Sequence, residues 1–373
     1  MPTGATAIVV GAGAFGGWTA LSLLRAGCRR VKLVDAWGPG NSRSSSGDET
    51  RVIRGCYGPN AVYTQLVARA LPMWRENEQR FGAKLLEPAG ALWMGSGAYE
   101  RAAVRCLRDA GLPFEEVSAA DGRARWPQMN WDGIEGAVYE PEGGFLYARR
   151  ACQAVMRAVV TEGGEYVQQQ ADVANLAALG EADLYVIAGG PWLGALFPDV
   201  ARVTATRQEA FYFGTPAGDA RFDERHFPAW VDNSAVRFYG TPGNEWRGFK
   251  AAMDVPGAPV DPTSVDRTPT PAALARVREF LARRFPALAD APVLESRVCQ
   301  YEMSPDGDLI VDRHPERANV WLVGGGSGHG FKLGPALGEM AARMVLGVEP
   351  VRAEFGLARF DGAMSARVVG ERK

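Results

Sequence analysis

The sequence predicts an α/β protein of two interleaved domains, one on a parallel sheet and a second, α+β in character, on a mainly antiparallel sheet. Three observations carry that prediction. First, an apolar stretch (Ile8-Val9-Val10) meets a glycine turn (Gly11-Ala12-Gly13-Ala14-Phe15-Gly16), a helix-compatible segment from Trp18 to Arg25, a second apolar stretch from Val31 to Val34, and Asp35. Second, near the other end a strand over Asn319 to Val323 runs into Gly324, Gly325, Gly326, Gly328 and Gly330 and then a helical segment over 335–344. Third, several segments between them alternate apolar and polar residues, the period of strands with one wet face.

At 373 residues the chain exceeds the size at which a single core keeps growing, so two domains are expected. A hydrophobic share of 47% and a charged share of 23% belong to an ordinary globular chain. The formal net charge is −2 and no Lys/Arg run is long, which argues against nucleic acid or an anionic membrane as partner. No apolar run reaches a membrane span, and a strand starting by residue 7 leaves no room for a leader, so a cytoplasmic protein is expected. The cysteines (Cys28, Cys56, Cys106, Cys152, Cys299) lack CxxC spacing and the histidines number 3, so neither a disulfide framework nor a metal site is expected.

The first segment reads as the βαβ unit of a Rossmann-type domain, the part of such a fold that holds the ADP half of a dinucleotide. Gly11 permits the tight turn, Gly13 lets backbone approach a pyrophosphate, and Gly16 allows helix and strand to pack closely. Ala14 and Phe15 open the helix, whose N-terminus offers N–H groups to phosphate. Asp35 falls about 20 residues on, where a carboxylate meets the ribose hydroxyls. It disfavours a 2′-phosphate, leaving NAD and FAD.

The stretch 36–50, with Ser44 and Ser45, has the composition of a loop. It leads into Arg51-Val52-Ile53-Arg54, where two arginines flank two β-branched residues. One of them should be drawn inward, and a buried arginine needs an anion. A helix follows over 60–81, then strands near Leu85 and over 91–94, a helix over 99–110, and short strands over 114–117 and 137–139. Residues 143–148 are expected to open a helix running to about 160. Apolar strands over 166–168 and 184–188 signal a return to the parallel sheet, the latter ending in the turn Gly189-Gly190-Pro191-Trp192. Alternation resumes over 208–213, 236–239, 247–252 and 297–302, with a helix over 269–285 begun by Thr270-Pro271. The expected division is therefore 1–60, 141–205 and 303–373 for the nucleotide domain, and 61–140 and 206–302 for the substrate domain.

A chain that binds only NAD has little need of the second glycine cradle. A flavin does, because its ring becomes anionic on reduction and a helix N-terminus stabilises that charge.

Here the residues meet a family. GAGAFGG, SGDETRVIRGCYG at 46–58, the Gly-Pro-Trp turn at 190–192, GFK at 248–250, VCQYEMSPDGDLIVDRHP at 298–315 and GGGSGHGFKLGPALGE at 324–339 resemble the monomeric sarcosine oxidase family. That group includes N-methyltryptophan oxidase and pipecolate oxidase, within the wider D-amino-acid-oxidase-like flavoproteins. The resemblance spans the chain in order. It implies FAD-dependent oxidation of a secondary or cyclic amino acid, with O2 as acceptor and imine and hydrogen peroxide as products, by a monomer.

The same resemblance implies that Cys299 bonds covalently to the FAD ring, that Arg54 and Lys332 grip the substrate carboxylate, and that Lys250 promotes O2 reduction. It places Thr50 and Arg51 near the flavin and Tyr239 in the active site. Gly189, Trp192, Gly326, Gly328, His329, Gly330, Phe331 and Lys332 fall in its cofactor-binding turns. Two departures stand out. One extra residue lies between Gly47 and Arg51, and Asp254 stands where the sarcosine enzyme has a histidine. A carboxylate there suggests a substrate with a second cationic or hydroxyl group. The rival readings are a dehydrogenase of the same fold with a non-oxygen acceptor, a flavin-binding redox protein without turnover, and an NAD dehydrogenase.

Overall fold

The computed structural model describes residues 4–361, so the ends of the expected nucleotide domain, 1–3 and 362–373, lie outside the described residues. In chain order come β1 (Thr6–Val10), α1 (Ala14–Arg25), β2 (Arg30–Asp35), β3 (Thr50–Ile53), α2 (Ala61–Phe81), β4 (Leu86–Glu87), β5 (Ala91–Met94) and α3 (Ala98–Asp109). Then follow β6 (Glu115–Ser118), α4 (Ala119–Arg125), β7 (Gly136–Glu140), β8 (Gly144–Tyr147), α5 (Ala148–Thr161), β9 (Glu165–Gln168), β10 (Leu184–Ile187) and α6 (Leu193–Leu196). The remainder supplies β11 (Thr204–Phe213), β12 (Ala229–Asp232), β13 (Phe238–Thr241), β14 (Phe249–Met253), α7 (Pro271–Arg284), β15 (Val293–Met303), β16 (Ile310–Arg313), β17 (Val320–Gly324) and α8 (Gly334–Val345).

One sheet has the order β16-β17-β10-β1-β2-β9, parallel except for the edge strand β16. Its residues alternate between two cores, as a doubly covered sheet must. Ala7 and Val9 face α1, α2 and α8, while Ile8 and Val10 face the layer that includes Leu193 and Phe360. Helix α2 shares the first of these cores through Leu66, Val67, Ala70 and Trp74, although its sequence position groups it with the second domain.

The second sheet has eight strands in the order β15-β11-β14-β13-β12-β5-β7-β6, antiparallel apart from the β12–β5 pair. Helix α7 covers one face, where Phe280 stacks on Phe238 and Trp230. Thr270 caps that helix by accepting from Ala273 N at 3.2 Å, with Pro271 at its first position, as the sequence leads one to expect. A small sheet has the order β3-β8-β4, and Thr50 on its β3 shares a hydroxyl–hydroxyl hydrogen bond of 3.2 Å with Thr241 on β13.

Three strands depart from expectation. Residues 144–147 form β8 instead of opening a helix, because Phe145 and Leu146 are buried between β3 and β4 and their backbone pairs with both. Ala229–Asp232 and Ile310–Arg313 are too short to show a period, and tertiary pairing makes them strands. Among the described residues no helix is long and apolar enough to cross a membrane.

Candidate active site

The carboxyl ends of β1, β10 and β17 open on one cleft. Gly11 has φ +105°, and a Cβ there would stand 2.1 Å from the Ala188 carbonyl, so the first turn admits glycine alone. Gly16 lies under the turn, where a Cβ would meet Gly11 O at 1.9 Å, while Gly13, Ala14 and Phe15 line the cleft. Asp35 also lines it, and its carboxylate already accepts from Ala12 N at 2.8 Å and from Trp37 N and Gly38 N at 2.8 and 2.7 Å. The stretch 36–50 is no free connector. Ser46 Oγ accepts from Ala14 N at 3.1 Å, and Ser44, Ser45 and Arg51 form part of the cleft wall. Gly189 and Trp192 close one side, with the Trp192 ring 4.7 Å from that of Trp37. Gly326, Gly328, Gly330 and Phe331 form the opposite side, so both predicted cradles serve one cleft.

A second cavity of about 700 Å³ adjoins the first, and Arg51, Tyr301, Gly328 and Phe331 line both. Its wall carries Arg54, Tyr57, Tyr239, Asp254, His329 and Lys332, together with Arg237. Arg54 lies 4.2 Å over the Trp93 ring and 4.9 Å over Tyr57, and donates to the Cys56 carbonyl. Lys332 is 5% exposed and donates to Tyr57 Oη at 2.8 Å and to the His329 carbonyl at 2.7 Å. Neither cation has a carboxylate in ion-pair range among the described residues. Burial, reinforced by Arg54, pulls Lys332 well below the ordinary lysine range. Burial and the Lys332 charge bring His329 down to about 3, so its ring is neutral, with Nε2 against the Gly307 carbonyl at 3.0 Å.

Lys250 and Thr50 line neither cavity. Both are fully buried beside Arg51. Lys250 Nζ donates to Asp48 and to the Thr50 carbonyl at 2.9 Å, and stands 5.7 Å over the Tyr239 ring. Asp48 also receives Arg51 at 2.6 Å and Tyr212 Oη at 2.8 Å. Burial alone would raise this carboxyl, but Lys250 and Arg51 hold it far below the usual carboxylate range. Cys299 is a free, buried thiol on β15, two residues from Tyr301 and so on the same strand face. Burial and Asp48 push the thiol up, while Arg51 and Lys250 oppose them.

Sequence reading missed Asp48, Tyr57, Arg237, Tyr301 and Glu302. Asp48 and Tyr301 sit inside the quoted motifs and could have been singled out there; Arg237 has no sequence signal. It packs 5.2 Å over Trp93 and pairs with Asp254 at 3.5 Å, while Tyr301 Oη donates to the same carboxylate at 3.1 Å.

A dinucleotide cleft opening through shared walls into a cavity lined by Arg54 and Lys332 defines an oxidoreductase that works on a small molecule with a bound nucleotide cofactor. The model of the family described as FAD dependent oxidoreductase matches residues 6–344. The chain is 30% identical to N-methyl-L-tryptophan oxidase of Yersinia pestis (strain Pestoides F) over 362 residues, 90% of this chain and 93% of that protein. The same identity and coverage hold for N-methyl-L-tryptophan oxidase of Yersinia pseudotuberculosis serotype O:1b (strain IP 31758). Its fold is shared with L-proline dehydrogenase from P. horikoshii at a TM-score of 0.81 and 18% identity, covering 97% of this chain and 99% of that one. The deglycating fructosamine oxidase (Amadoriase II) from Aspergillus fumigatus matches at a TM-score of 0.79 and 21% identity, covering 96% and 90%. The chain belongs to the FAD-dependent oxidoreductase family. The cleft fits that cofactor, since the glycine turns after β1, β10 and β17 bring bare backbone to one cavity at the carboxyl ends of parallel strands, with Asp35 at its edge.

Proposed function

We propose that the protein oxidises a secondary amino acid, N-methyl or cyclic, to the imine, with FAD as oxidant and O2 as final acceptor yielding hydrogen peroxide. One observation carries the reading: the buried Lys332 and the half-buried Arg54 face a single cavity that shares its wall with the nucleotide cleft, and neither has a carboxylate partner among the described residues. An enclosed guanidinium and ammonium require an anion, and a substrate carboxylate supplies it. Arg54 would take the carboxylate through paired N–H donors and Lys332 would add a point charge. When bound, FAD accepts two electrons from the C–H bond next to the amine nitrogen.

The remaining residues orient and select. Holding the carboxylate at Arg54 and Lys332 fixes the amine toward Arg51 and Tyr301, the residues common to both cavities. His329, neutral and bonded to a backbone carbonyl, is not poised as a base, so the amine is taken as the free base. Lys250, held against Asp48, is the cation assigned to the oxygen step, and Cys299 is the assigned point of covalent attachment. Tyr239 and Asp254 line the substrate end. Asp254 favours a substrate with a second cationic or hydroxyl group, and Asp254→Asn should reorder a panel of amines ranked by kcat/KM; an unchanged ranking removes that assignment.

The function is tested by screening N-methyl and cyclic amino acids for peroxide release by the yellow protein, then acid-precipitating it to see whether colour stays with the pellet. Flavin bleaching without peroxide would point to another electron acceptor. No bleaching by any amine would refute turnover, and a colourless supernatant over a yellow pellet is the result expected of a Cys299 link.

A further inference from the structure

Glu302 belongs to no part of the substrate chemistry, yet it lies in the wall of the nucleotide cleft. It is 6% exposed, and its Oε2 is buried without a hydrogen-bond partner. The carboxyl stands where three glycine-bearing turns meet. A Cβ added to Gly326 would lie 2.8 Å from Oε1, and Cβ atoms at Gly324 and Gly190 would lie 3.5 and 3.9 Å from Oε2. Phe15, from the first turn of α1, packs over Gly326 from the remaining side. These turns follow β1, β10 and β17, the adjacent parallel strands whose carboxyl ends receive the diphosphate in a fold of this type.

We propose that Glu302 binds the dinucleotide as a neutral carboxylic acid, donating its proton to an oxygen of the FAD diphosphate at the point where the three turns converge. The proposal rests on FAD occupying this cleft and is independent of which amine is oxidised. Its first support is the missing partner: a buried oxygen with none is explained if it is the O–H of an acid waiting for an acceptor. The second is the absence of compensating charge. Its packing neighbours are Phe15 from α1, Gly190 from the turn after β10, Gly324 at the end of β17, Gly326 just beyond it, and Ala205 across the strand pair. None titrates. Asp35 and Arg51 line the same cleft, but neither pairs with Glu302. A carboxylate left ionised there would face a dianion in a site of low dielectric. Burial, partly offset by the Gly326 N–H, accordingly pushes the carboxyl up to about 8 from an ordinary value of 4.5.

Between those two values the native protein keeps a proton that the unfolded chain has lost, so stability falls as pH rises through the window. The test is ³¹P NMR of the flavin-loaded protein from pH 6 to 9.5, with thermal midpoints over pH 5 to 9, in wild type and Glu302→Gln. Gln keeps a neutral donor and cannot titrate. Should it fail to fold, Glu302→Thr gives the same readout. The expected result is a diphosphate resonance that moves with a midpoint at or above about 8 in wild type, because the bound dianion can only raise the carboxyl further, and that stays flat in the variant at equal flavin content, with a shallower fall of the thermal midpoint in the variant. A flat wild-type titration, or one that survives in the variant, overturns the inference while leaving FAD binding intact. A colourless protein overturns both.

Discussion

Arg54 shows how a single side chain defines the site. Its half-buried guanidinium packs over the rings of Trp93 and Tyr57, and the Cys56 carbonyl cannot neutralise it. Replacing Arg54 by Lys keeps the charge but loses the planar pair of donors. We expect kcat/KM for a carboxylate-bearing amine to fall on the order of 10²-fold, mostly through KM, with flavin content unchanged. Lys332 adds a pH dependence. Burial and Arg54 lower its pKa, and the charged form exists only below that value. KM should therefore rise as pH climbs through the depressed lysine range, well before an ordinary lysine would titrate, and Lys332→Met should flatten the profile while raising KM at neutral pH. The segment Arg51-Val52-Ile53-Arg54 foretold that at least one arginine would turn inward without saying which: Arg51 has its anion in Asp48, and Arg54 was singled out only by the family resemblance. Arg237 was not legible: its role arises from contact with Trp93 and Asp254, which no local spacing records.

The turn before β3 and the strand β15 together organise the junction of the two cavities. Glu49 lies in that turn, between Gly47 and Arg51. Its carboxylate meets Arg149 at 3.2 Å, Arg297 at 3.4 Å and Arg247 at 3.5 Å, tying the turn to α5, β15 and the approach to β14. The three arginines are about a third exposed, so solvent screens the network. Glu49→Gln should cost about 1–2 kcal/mol, a drop of a few degrees in thermal midpoint, without altering the ranking of substrates. On β15, Cys299, Tyr301 and Glu302 divide the work by strand period: Cys299 and Tyr301 share one face, and Glu302 points the other way among the glycine turns. Elements with many periodic residues, such as α1, α7 and the long β11 and β15, could be read in advance. The four-residue β8 and β12 could not, since their state is set by the partner they pair with, whereas the equally short β5 and β10 were marked by continuous apolar runs.

At the scale of the molecule, the two glycine signals, far apart in sequence, predicted a chain that leaves the parallel sheet and returns to it. The sheet order β16-β17-β10-β1-β2-β9 is that return. The packing of α2 beside α1 and α8 was hidden, because its sequence neighbours belong to the other sheet and an amphipathic stripe does not name the surface it covers. What the architecture accomplishes is to set a cavity lined by Arg54 and Lys332 against a dinucleotide cleft with a common wall. The account stands on that junction, and anaerobic titration of the flavin spectrum tests it most directly, using N-methyl and cyclic amino acids beside the same amines without the carboxylate. It predicts bleaching of the oxidised flavin bands by the amino acids, with half-saturation at least ten-fold lower than for their decarboxylated counterparts, and loss of that preference in Arg54→Lys. Equal bleaching by both sets, or a preference untouched by Arg54→Lys, would contradict it.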